Sequence, residues 1–149
     1  MRNRSVSRIG HPTRKRLGEA MEAAFLARAA TFTFDISKPW GESYRYDMVV
    51  NAGYGFLRVQ VKCTERYAES RYRVSGAGCN DAYTADEIDF IAAYIIPENI
   101  WYIVPIHAFA SHKSLRFYPR DGRKSKYEKY REAWCLLKPT HKSHAANKS

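Results

Sequence analysis

The sequence predicts an α/β fold, a central mixed sheet of about four to five strands flanked by helices on both sides. Three observations predict it: a proline-free helical pattern near the N-terminus, a strand that alternates cleanly after a glycine turn, and a second half that returns to strand patterns before a last helical one. With 149 residues, 45% of them hydrophobic and 14% aromatic, the chain is one domain with material for a core, and intrinsic disorder is excluded.

Thr13 stands where it caps a helix to about Ala30, along which Leu17, Met21, Ala24, Phe25 and Arg28 follow helical spacing. Residues Thr31 to Asp35 alternate as a short strand, and Pro39-Trp40-Gly41 breaks the chain. Tyr46 to Asn51 is apolar apart from Asp47 and Asn51, as in a strand covered on both faces, and Ala52-Gly53-Tyr54-Gly55 turns the chain. From Phe56 to Cys63, Leu57, Val59 and Val61 fall on one face and Arg58, Gln60 and Lys62 on the other. Tyr72 to Ser75 reads as a short strand before Gly76-Ala77-Gly78, and Thr84 to Glu87 as a helix start. Phe90 to Ile96 and Ile100 to Val104 read as two strands, or as a helix end and a strand, since periodicity alone does not separate the two. Near the C-terminus, Tyr127, Tyr130, Trp134 and Leu137 share one face of a helix whose other faces carry Lys126, Lys129 and Arg131.

The net charge is +10, and it is unevenly spread. Residues 1 to 16 hold six basic side chains and no acid, and residues 138 to 149 hold Lys138, Lys142 and Lys148, again with no acid. Residues 113 to 131 hold eight basic against two acidic side chains, whereas residues 17 to 112 hold eight against twelve. A mildly acidic body with basic arms is the layout of a protein that grips a polyanion at its edges and holds a cation at its centre, so nucleic acid is the expected partner. The acid-free N-terminus lacks the amphipathic face of a transit peptide, and the longest apolar run, Phe90 to Ile96, is far short of the ~20 residues of a membrane helix. Cys63, Cys79 and Cys135 form neither a disulfide framework nor a zinc motif, which suits a reducing cytoplasm. His141 and His144 sit among small polar residues where disorder, not metal binding, is expected, and His107 after Pro105 reads as a loop or helix-cap residue.

One constellation carries chemistry. A helix acid, an acid on one strand and a Gln-x-Lys on the next strand converge if the helix packs on the sheet, because neighbouring strands lie only ~4.8 Å apart. Asp47 stands thirteen residues before Gln60, and Glu22 twenty-five before Asp47. Phosphodiester hydrolysis uses such a set: carboxylates for Mg²⁺, the ion for the phosphate and its water, and a lysine to orient that water and offset charge. Glu19, three residues before Glu22 and on nearly the same face, competes for the helix position. Tyr67, Arg71, Tyr72 and Arg73 beside the glycine-rich turn fit either DNA contacts or a packed hairpin.

The segments Gly18-Glu-Ala-Met-Glu22, Pro39-Trp-Gly-Glu-Ser-Tyr-Arg-Tyr-Asp47 and Leu57-Arg-Val-Gln60-Val-Lys62 together resemble the PD-(D/E)XK nuclease superfamily. In particular they resemble the bacterial group whose characterised member is a group I intron-encoded homing endonuclease of cyanobacteria, which has Gln where most of the superfamily has Asp or Glu. The similarity continues through Tyr83 to Tyr94 and Trp101 to Ile106, so it spans roughly residues 14 to 110. The resemblance implies a restriction-endonuclease-like core and makes Asp47 the central metal ligand, Lys62 the residue acting on the attacking water, and Gln60 the occupant of the second-carboxylate position. It makes Glu22, by its distance from the Tyr46-Asp47 pair, the helix acid near the metal. It further implies Mg²⁺, with Mn²⁺ able to substitute, double-stranded DNA as substrate, and a homodimer or homotetramer. Gln60 is a neutral ligand, so metal affinity should be lower than with a second carboxylate. The expected organisation is a basic arm over residues 1–13, a nuclease domain over 14–137 and a basic tail over 138–149. A junction resolvase and a non-catalytic nucleic-acid-binding module are the competing functions.

Overall fold

The computed structural model describes residues 10–121 and 125–138. Most of the N-terminal arm and the tail, with His141 and His144, lie outside the described residues. Helix α1 runs over Arg14–Thr31, and Thr13 caps it as expected, its side chain accepting from the Arg16 amide at 3.3 Å. The expected strand at residues 31 to 35 does not form. Thr31 is still helical and Thr33 turns the chain at φ 61°, which breaks the extended run, and the Phe32 and Phe34 rings meet at a tilt with their centres 5.8 Å apart. Strand β1 is only Ile36–Ser37.

Strands β2 (Met48–Asn51) and β3 (Phe56–Thr64) form an antiparallel hairpin. Its turn is closed by the Ala52 amide on the Gly55 carbonyl at 2.9 Å, with Gly53 in the left-handed region at φ 79°. Strand β4 (Tyr67–Ala68) and β5 (Arg71–Ser75) follow as a second hairpin, turned by Glu69 and Ser70 at positive φ. Thr84 to Glu87 makes the reciprocal contacts of a helix start, with the Thr84 amide donating to Glu87 Oε2 at 3.1 Å, yet no helix grows from it. The Asp89 amide donates to the Arg58 carbonyl while the Asp89 carboxylate takes the Arg58 amide and guanidinium, so the sheet captures the chain after one turn.

Strand β6 (Phe90–Ile95) runs parallel to β3, and β7 (Ile100–Pro105) returns antiparallel to β6, so the second half contains two strands rather than a helix end. Helix α2 (Ile106–Phe109) and strand β8 (Ser114–Phe117) complete the named elements. The main sheet is mixed and five-stranded in the order β1-β2-β3-β6-β7, and β4, β5 and β8 form a separate three-stranded sheet.

Alternation along β6 and β7 sorts the core into two layers. Ala92, Trp101 and Ile103 join Val59 and Val61 under α1, where Phe25 is fully buried against Trp101 and Trp134. Ile91, Ala93, Tyr102 and Val104 face the other way, under the second sheet and α2. The expected C-terminal helix is replaced by two 3-10 turns, Glu128–Tyr130 and Trp134–Leu137. Its four apolar residues do not share a face: Tyr127 and Tyr130 enter the second layer, Trp134 and Leu137 the first. The reason is the edge strand β7. Between the turns the chain crosses that edge, with the Glu132 amide on the Trp101 carbonyl at 2.7 Å and the Trp101 amide on Glu132 Oε1 at 2.9 Å, which satisfies groups an open edge would leave unpaired. Among the described residues, no helix is long and apolar enough to cross a membrane.

Candidate active site

The β2–β3 hairpin sets the site. Met48 pairs with Val59, and both are fully buried on the α1 side, so the residues that alternate with them along each strand point the other way. Gln60 and Lys62 therefore stand on the opposite face of β3 from α1, half-buried, two residues apart. Asp47 is the last residue before β2. Its amide continues the ladder to the Val59 carbonyl at 2.9 Å, and its Oδ2 accepts from the Val61 amide at 2.8 Å. The carboxylate thus takes a place in the sheet where the chain itself has left it. Burial pushes the Asp47 carboxyl up to about 6, and the Glu22 charge pushes the same way; the Val61 amide, Lys62 and Lys38 pull against them.

Glu22 lies on α1, half-buried, and its Oε2 accepts from Lys38 Nζ at 2.7 Å. Glu19, Glu22, Lys38 and Asp47 line one open groove of about 370 Å³, rimmed by Pro39 and Gly41. Gln60 and Lys62 do not line that groove. They reach the assembly through β3, by way of the Val61 amide on Asp47 and the field of Lys62 on the same carboxylate. Gln60 makes a long contact, Nε2 to the Val61 carbonyl at 3.4 Å, and its amide oxygen has no hydrogen-bond donor among the described residues. Lys62 Nζ lies 5.5 Å from the centre of the Tyr83 ring, and the Arg45 guanidinium lies 5.1 Å from the same ring. Both acids weighed for the helix position thus border the groove, and Glu22 is the one whose charge acts on Asp47.

Sequence reasoning missed Lys38 and Tyr83. Lys38 precedes the Pro39-Trp40-Gly41 break and has no motif of its own; only the fold brings it to Glu22, sixteen residues away. Tyr83 is almost wholly buried and reads in sequence as a core aromatic, which it also is.

Among the described residues, no three His, Cys, Asp or Glu side chains gather as a metal cluster. The donor set nevertheless fits a hard divalent cation, since Mg²⁺ is commonly held by one or two carboxylates and keeps several waters. Asp47 offers a second carboxylate oxygen beside the one on Val61, and the burial that raises its pKa is the cost a bound cation would offset. Gln60 supplies an amide oxygen without charge.

A mixed sheet that carries an acid and a Gln-x-Lys on paired strands, with a helix acid alongside, defines a nuclease-type α/β core. The profile of the PD-(D/E)XK endonuclease family matches residues 12–137, and the chain belongs to that family. Among solved structures it is similar to a bacterial homing endonuclease, I-Ssp6803I, with a TM-score of 0.72 and 27% identity over 85% of this chain and 92% of that one. It is also similar to the Holliday junction resolvase Hjc of Archaeoglobus fulgidus, with a TM-score of 0.53 and 16% identity over 81% of this chain and 95% of that one, a likeness of fold. No curated protein matches the sequence.

Proposed function

We propose that the protein is a Mg²⁺-dependent DNA endonuclease, associated with a group I intron, that hydrolyses phosphodiester bonds in double-stranded DNA. The observation that carries this reading is the bond from the Val61 amide to Asp47, which seats an acid of raised pKa against the strand of Gln60 and Lys62, with Glu22 beside it. Asp47, Glu22 and the Gln60 amide oxygen are the ligands for Mg²⁺, or Mn²⁺ in its place. When bound, such an ion polarises the scissile phosphate and lowers the pKa of its water. Lys62 orients the attacking water by hydrogen bonding and offsets the negative charge that builds on the phosphate oxygens. Tyr83, under the Lys62 ammonium, holds it by a cation–π contact without taking a proton from it. Lys38 neutralises Glu22, and a cation held by Glu22 would compete with it for that carboxylate.

The homing-type reading is favoured over a junction resolvase by identity as well as fold, because the likeness to I-Ssp6803I has 27% identity and a TM-score of 0.72 against 16% and 0.53 for Hjc. One site cuts one strand per engagement, so a double-strand break calls for two chains about a two-fold axis, as a homodimer or homotetramer. The test is incubation of supercoiled plasmid with and without Mg²⁺, then of a linear duplex library and a four-way junction in parallel. Mg²⁺-dependent cutting of the duplex library at defined sequences supports the reading. Preference for the junction supports a resolvase, and binding without cutting supports a module that has lost turnover.

A further inference from the structure

The second sheet brings together two basic segments that are far apart in sequence. Strand β5 pairs with β8 in a register that sets Arg73 directly opposite Arg116. Tyr72, Val74, Leu115 and Phe117 are buried beneath, so the period of two drives both arginines to the outer face, where both are exposed. Like charges directly opposite each other on a sheet destabilise it, so folding alone does not favour this pairing. Neither arginine, nor Arg66 nor Lys113 nearby, has an ion-pair partner among the described residues. A groove on either side continues the basic surface: one of about 360 Å³ with Arg66 and Arg73 on its wall beside the Arg71–Glu69 ion pair, and one of about 550 Å³ with Lys113, Arg116 and Lys126.

We infer that the outer face of the second sheet is a phosphate-binding platform for the backbone of duplex DNA, separate from the Asp47 groove; this inference rests on the endonuclease reading above. Charge complementarity selects the ligand, because a duplex presents one negative charge per ~1.7 Å of axis and offsets the Arg73–Arg116 repulsion on binding. Continuity selects the duplex that is being cut. Thr64, the last residue of the strand that carries Lys62, lines the same groove as Arg66 and Arg73. A duplex whose phosphate lies at Lys62 therefore continues past Thr64 onto the arginine pair. No large aliphatic side chain is exposed on this face, as insertion into a lipid surface would require.

The test is equilibrium binding of the full chain to a linear duplex across a salt series in EDTA, which prevents cleavage. For Arg73→Ala/Arg116→Ala the log–log salt slope should become shallower by about 1.8 units, at ~0.9 per lost phosphate contact. The melting temperature of the free double variant should not fall, because a repulsion has been removed. Arg116→Glu, which makes the cross-strand pair attractive, should raise the melting temperature and weaken duplex binding further. An unchanged slope overturns the inference, and an unchanged slope together with lost binding to anionic phospholipid vesicles gives the face to a lipid surface instead. Mg²⁺-dependent cleavage by the wild-type chain is measured in parallel. A wild type that cuts no duplex sinks the endonuclease reading whatever the slope, and a wild type that cuts while the slope is unmoved sinks only the platform.

Discussion

The backbone amide of Val61 donates to Asp47 Oδ2 at 2.8 Å, and Val61 is the residue that separates Gln60 from Lys62. The acid is thereby referenced to the strand that bears its partners through a backbone group, which has no rotamers to explore. A one-residue slip of β2 against β3 would move Gln60 and Lys62 to the α1 side and break this bond, and the burial of Met48, Val50, Val59 and Val61 on that side opposes the slip.

Asp47→Ala and Lys62→Ala should each lower single-turnover cleavage of supercoiled plasmid by at least a hundredfold, on the order of removing one charge-stabilising group. Duplex affinity should stay near wild type, because phosphate contacts elsewhere carry it. Either variant cutting at a near wild-type rate would remove that residue from the site.

The raised pKa of Asp47 sets a pH dependence of stability. Between its ordinary value of 3.8 and about 6, the native carboxyl holds a proton that the unfolded chain has released. The native state then binds more protons, so stability falls as pH rises through this window and levels off above it. Melting temperature against pH without divalent ions should show this decline, and Asp47→Asn should flatten it. Cleavage runs the other way, rising through the same window as the carboxylate ionises. An unchanged melting profile in Asp47→Asn would mean that Asp47 is not the titrating group.

Glu22→Gln should be severely impaired in cleavage and Glu19→Gln much less so, because the Glu22 charge is the one that acts on Asp47. The opposite ranking would assign the helix position to Glu19. Lys38→Met should lower the Mg²⁺ concentration for half-maximal cleavage, since it removes the cation that now occupies Glu22; a midpoint that rises instead would count against that competition.

Gln60→Glu adds an anion where the present donor is neutral. Mg²⁺ titrations of cleavage should shift to lower concentration without a matching gain in maximal rate, because extra negative charge weakens the ion as a Lewis acid. If the titration curve does not move, Gln60 does not touch the ion.

Light scattering with and without duplex should report a dimer or tetramer, in keeping with paired cuts about a two-fold axis. A strict monomer in both conditions, producing only nicks, would replace the paired-site picture with a nickase.

Local chemistry alone determined a good part of this protein. Thr13 began the first helix, Ala52 to Gly55 turned the hairpin, and the alternation of Leu57, Val59 and Val61 with Arg58, Gln60 and Lys62 told which face of β3 is polar, because a strand has a strict period of two. That Asp47, Gln60 and Lys62 come together on paired strands was legible for the same reason, since the geometry of a hairpin leaves little freedom, whereas Glu22 reaches Asp47 only through the packing of α1.

Long-range partners decided the rest. Thr84 to Glu87 has the local pattern of a helix start and is overruled by the pairing of Arg58 with Asp89, thirty-one positions apart in the chain but bonded where β3 meets the start of β6. Tyr127, Tyr130, Trp134 and Leu137 have helical spacing, yet the unpaired edge of β7 draws the chain across it and sends the four side chains to two different layers. Arg73 and Arg116 meet only because β5 and β8 pair, and Lys38 meets Glu22 only because the loop after β1 folds back on α1. Periodicity reports which face of an element is apolar, but not which other element covers that face or satisfies its free hydrogen-bonding groups, and those competitions are settled only when the whole chain packs.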